Sequence, residues 1–185
     1  MKKFVSAVLF VFLTVPGFVQ EDHFSWQMGL YREGAGEITA YLPRVELRSG
    51  DLVNLKILSK ARCYLYAFVY QADRRIKVLF NGELPPELSR NLSLGFLPPG
   101  DNQLFVFVTR EKEEPLGKLL GDYQKNPGPA DKLYAEAKDL RARLDALPAA
   151  AKPKDTIGQG GASRGPERGY SGKSGYARTI ILYCQ

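Results

Sequence analysis

The chain predicts a mainly β, single sandwich-like (immunoglobulin-like) domain with one amphipathic helix inserted before the closing strand. Three observations carry this. Apolar residues alternate with polar ones over Val53–Ile57, where Val53, Leu55 and Ile57 interleave with Asn54 and Lys56. A run apolar on both faces follows at Cys63–Tyr70, as in a central strand covered on both sides. The period then lengthens to that of a helix: Leu133, Ala137, Leu140, Leu144 and Leu147 recur every three or four residues.

In chain order, Met1-Lys2-Lys3, the apolar run Phe4–Val15 and the break at Pro16-Gly17 form the pattern of a secretory signal peptide. The run is shorter than the roughly 20 apolar residues a membrane-spanning helix needs. Cleavage after Gly17 gives a periplasmic or secreted protein; retention of the segment gives an uncleaved membrane anchor. Residues 18–36 read as an N-terminal extension and 37–185 as the domain.

Within the domain, Gly50-Asp51 turns between the runs Ile38–Leu47 and Leu52–Leu58. Ala72–Arg75 turns from Cys63–Tyr70 into Ile76–Phe80. A short strand is expected around Leu92–Phe96, and a strongly apolar one at Gln103–Thr109. The helix spans 130–147, with Pro129 at its start, Pro148 at its end, and Lys132/Glu136 and Asp139/Arg143 one turn apart on its outer face. Residues 149–175 are rich in Gly, Ser, Pro and basic side chains and read as a flexible connection. Ala177–Tyr183 is the closing strand.

The formal charge is +6. After loss of Lys2 and Lys3, the excess lies wholly from Lys152 onward, and the rest is neutral. This argues against nucleic acid as a partner. It makes Arg164, Arg168 and Lys173, with Tyr170 and Tyr176 interleaved, candidates for contact with peptidoglycan or anionic lipid.

Several motifs resemble a known family. Ser49-Gly50-Asp51-Leu52-Val53-Asn54-Leu55, Cys63-Tyr64-Leu65-Tyr66, Val78-Leu79-Phe80-Asn81, Leu97-Pro98-Pro99-Gly100 and Leu104–Thr109 are similar to the family catalogued as domain of unknown function 4384, over roughly residues 41–110. Asn81 stands where that family usually has Pro. The resemblance implies a β-sandwich-like accessory unit of bacterial envelope proteins, without catalytic residues.

Candidate chemistry is sparse. Cys63 and Cys184 are a candidate disulfide for an oxidising compartment. The single histidine, His23, rules out a multi-histidine zinc site. It would bind copper(II) only if cleavage fell after Gln20, leaving Glu21-Asp22-His23 as the terminus. Gly172-Lys173-Ser174 lacks the upstream glycine of a phosphate loop, since Glu167 stands there. Glu111, Glu113 and Glu114 read as a solvated charge run.

The aromatic row Tyr64, Tyr66, Phe68 and Tyr70 is either an interaction surface or a core face covered by the helix. The expected function is a non-enzymatic binding or scaffolding module of the bacterial cell envelope, with another envelope protein as partner and no cofactor or metal. The alternatives are a hydrolase or small-ligand enzyme built on carboxylates such as Asp51, Asp73 and Asp101, and a membrane-tethered surface protein.

Overall fold

Two β-sheets and two helices stack as three layers in the computed structural model, which describes residues 24–33, 36–38, 44–48, 50–148, 154–156, 168–172 and 175–185. The strands are β1 Phe24–Arg32, β2 Gly36–Ile38, β3 Arg44–Leu47, β4 Val53–Ser59, β5 Cys63–Tyr70, β6 Ile76–Leu84, β7 Ser89–Ser93, β8 Gly100–Thr109, β9 Lys154–Thr156, β10 Arg168–Gly172 and β11 Tyr176–Cys184. Helices α1 Glu114–Lys125 and α2 Ala130–Asp145 lie between β8 and β9 in the chain. One sheet runs β7-β4-β1-β10-β9, with β2 also on β1; the other runs β3-β11-β8-β5-β6. All pairings are antiparallel except β3 with β11.

Strand alternation builds two separate cores. Leu65, Ala67 and Val69 of β5 and Leu104, Val106 and Val108 of β8 face the other sheet, meeting Met28, Leu30, Leu55 and Ile57. The opposite faces of the same strands carry Tyr66, Phe68, Phe105 and Phe107, which the helices cover with Leu116, Leu120, Leu133, Ala137 and Leu140. Each such leucine contributes roughly 1.5–3 kcal/mol by leaving water. The expected sandwich and closing strand are present, and the helix expected at 130–147 ends at Asp145.

Five readings are corrected. Residues 24–32, taken as an extension, form an interior strand: Trp26, Met28 and Leu30 alternate into the core at 0–2% exposure. The expected run Ile38–Leu47 is divided, since β2 pairs with β1 in one sheet and β3 with β11 in the other. Helix α1 joins α2, held by Leu116, Leu119, Leu120 and Tyr123 at helical spacing. The connection 149–175 contributes β9 and β10, which extend the first sheet beside β1. Arg143 reaches Glu136 at 3.8 Å and Glu113 at 3.5 Å, rather than the expected Asp139.

The disulfide is also corrected. Both Cys63 and Cys184 are free and buried. Tyr64 lies opposite Thr109 at one end of β8, and Cys184 opposite Gly100 at the other. Ten residues of strand separate the two positions by roughly 30 Å, far beyond the ~7 Å Cα limit for a bridge. The signal-peptide segment 1–17, Arg164 and Lys173 lie outside the described residues. Among the described residues, no helix is long and apolar enough to cross a membrane.

Candidate functional site

The aromatic row divides by depth. Tyr66 and Phe68 are 1% and 0% exposed, so they are core. Phe68 stacks on Phe105 with centroids 5.1 Å apart. Tyr70 packs on Tyr134 of α2 at 4.5 Å, and the Tyr134 hydroxyl donates to Gln103 Oε1 at 3.3 Å. Tyr64 is partly exposed and, with one edge of Tyr66, borders open space beside the start of α1.

That space is a cleft of about 470 Å³ between β5, β6 and α1. Its position follows from how α1 is seated. The Tyr66 hydroxyl accepts the Glu113 backbone N–H at 2.8 Å, just before the first helical turn. The Asn81 side-chain amide donates to the Gly117 carbonyl at 2.9 Å. Gly117 permits this approach, because a Cβ there would stand 3.3 Å from Tyr66 Cε1. Tyr123 completes the attachment by accepting the Ile76 N–H at 3.1 Å.

The floor of the cleft is Tyr64 and Tyr66, and its rim carries Glu83, Lys112, Glu114 and Lys118. Arg62 holds Glu83 through two bonds of 2.8 and 2.9 Å, a fork-to-carboxylate geometry. Glu114 lies 2.8 Å from Lys112, whose ammonium it holds above the usual lysine range. Lys118 has no ion-pair partner among the described residues, so the rim presents one uncompensated cation beside a half-exposed phenol. Burial pushes the Tyr66 hydroxyl up to about 12, which keeps it a neutral hydrogen-bonding group.

The other sequence candidates do not converge. Asp51 is paired with Arg32 at 3.2 Å, Asp73 with Arg75, and Asp101 with Arg44 at 3.1 Å. Each thus sits in its own ion pair. Glu111, Glu113 and Glu114 precede or begin α1, with Glu113 half-buried and facing Arg143. No cluster of three or more His, Cys, Asp or Glu side chains able to hold a metal occurs among the described residues.

Of the aromatics of the basic segment, Tyr170 is a core residue and Tyr176 packs, partly buried, against the same core. Tyr170 is 6% exposed and stacks on Trp26 at 5.6 Å, and Tyr176 meets both rings at 5.5 and 4.9 Å. They tie β10 and β11 to β1 and offer no stacking platform. A second cleft, about 270 Å³ between α2 and β8/β11, has its charges engaged: Arg141 pairs with Asp145 at 3.4 Å and Lys138 lies over the Tyr134 ring.

Asn81, Glu83 and Lys118 were missed by sequence reasoning. Asn81 was noticed only as a departure from a family pattern, and the missed helix concealed Lys118. The spacing Leu116, Leu119, Leu120, Tyr123 was the available signal. Comparison with known protein families, curated proteins and solved structures gave no match.

Proposed function

We propose that this protein is a non-enzymatic binding module of the bacterial cell envelope, which docks a segment of another envelope protein in the cleft beside Tyr64. The observation that carries this is the pairing of Tyr64 with Lys118. A half-exposed aromatic ring and an uncompensated ammonium share one concave site, while both rim carboxylates are already matched. Such a site suits a peptide carrying a carboxylate next to an apolar side chain: the ring takes the apolar group and the ammonium the charge. The envelope address rests on the Met1–Gly17 pattern.

The rim bases and acids work as specificity elements in this reading. Glu83 and Glu114 repel an acidic segment placed wrongly, whereas Lys118 attracts it in register. The test is affinity capture from envelope extracts with the wild-type chain, Tyr64→Ala and Lys118→Glu, all with unchanged unfolding midpoints. A discrete protein retained by wild type and lost from both variants supports the reading. Equal retention by all three defeats it.

A further inference from the structure

Two large apolar side chains stand exposed among the described residues, Leu52 at 48% and Phe96 at 70%. Isolated exposed apolar residues are ordinary. These two are neighbours in the fold. Leu52 closes the loop between β3 and β4, and Phe96 lies in the loop between β7 and β8. The Leu94 N–H donates to the Val53 carbonyl at 2.8 Å, continuing the register in which Ser93 faces Asn54. Both loops project from one end of the sandwich, with the exposed Pro99 following Phe96. Neither of the two clefts includes Leu52 or Phe96.

The charges at this end are unequally matched. Asp51, Asp73 and Asp101 are each neutralised by an arginine. Arg48, Arg74 and Lys77 have no ion-pair partner among the described residues, against Glu33 and Glu46 as the unpaired acids there. The turn carrying Arg74 adjoins the start of β8, since the Ala72 N–H donates to Asn102 Oδ1 at 3.1 Å. Lys77 reaches across to the loop of Phe96: its ammonium lies over Gly95, where a Cβ would collide with it.

We propose that this end of the domain rests on an anionic bilayer surface. Phe96 and Leu52 enter the boundary between headgroups and acyl chains, and Arg48, Arg74 and Lys77 meet the phosphates. Protruding apolar tips ringed by cations suit a deformable anionic surface, whereas a folded partner would need a matching pocket for each tip. The cleft beside Tyr64 lies at the far end of β5, six residues from Tyr70 and so roughly 20 Å away. A chain seated by its loops would therefore hold that cleft away from the membrane.

The test is local, because the apolar run Phe4–Val15 would by itself bring the full chain to a vesicle. Trp26 is the chain's one tryptophan and is fully buried, so Phe96→Trp adds a reporter at the loop tip. With phosphatidylcholine vesicles containing phosphatidylserine, emission should shift to the blue and be quenched by brominated acyl chains. Pure phosphatidylcholine should leave it unchanged. Adding Arg48→Glu or Lys77→Glu should weaken the response about fivefold or more per substitution. No shift with anionic vesicles, as expected if the loops instead contact a protein, would overturn the proposal. So would an equal shift on neutral vesicles, or indifference to both charge reversals in variants that retain the wild-type unfolding midpoint.

Discussion

The Tyr66 hydroxyl accepts the Glu113 backbone N–H at 2.8 Å, joining the centre of β5 to the approach of α1. This bond explains why an aromatic strand is an interior element: the helix begins where the phenol supplies an acceptor. Replacing Tyr66 with Phe keeps the ring and orphans the buried N–H. We expect a loss of about 1–2 kcal/mol in urea unfolding.

The same hydroxyl predicts a pH dependence. Burial raises its folded pKa to about 12, above the ~10 of an unfolded tyrosine. The folded state therefore retains this proton where the unfolded state has lost it. The stabilisation is complete below pH 10 and disappears as pH rises toward 12, by about 3 kcal/mol. Between pH 9 and 11.5 the fall in stability should be shallower in Tyr66→Phe than in wild type. Parallel slopes would reject the assignment.

Gly117 sets how closely α1 lies on the sheet. A leucine there would drive its side chain into the Tyr66 ring and lift the helix, at about 1–3 kcal/mol. The expected signature is a lower unfolding midpoint, with faster hydrogen exchange confined to α1 and β6.

Tyr170 distinguishes core from connection. Its stacking on Trp26 predicts that Tyr170→Ala costs about 3 kcal/mol or more, as for other large aromatic truncations. A solvated tether would give no measurable change.

The two thiols provide a chemical check. Burial raises both above the ordinary cysteine range, so each is a poor nucleophile when folded. Without reductant, intact mass after alkylation should show no label on the native chain and two labels after unfolding in urea.

How legible these features were depends on what determines each element. The strands β4, β5 and β8 show their burial in their own alternation, and α2 shows its face in its leucine spacing. Strand β1 is equally regular at Trp26, Met28 and Leu30, but its place beside a leader-like segment made it look like an extension. Glycines at 117 and 121 weaken the intrinsic helix preference of α1; in the fold, Gly117 is a close-approach position. Strand β10, with Gly169 and Gly172, has little intrinsic strand preference and is fixed by pairing with β1 and by one buried tyrosine. The cleft is assembled from β5, β6 and α1, so no single stretch announces it. Of its lining, only Tyr64 and Tyr66 stand out in the sequence as a possible interaction surface, while Glu114 reads as a solvated charge and Asn81 as a departure from a family pattern.

The binding cleft is tested most directly by a photo-activated crosslinking residue placed at Lys118 in cells, and separately at Asn91 on the exposed edge strand β7. A discrete protein adduct is expected from position 118, lost when Tyr64→Ala is added, with no such adduct from position 91. The same adducts from both positions, or none from 118, would contradict it.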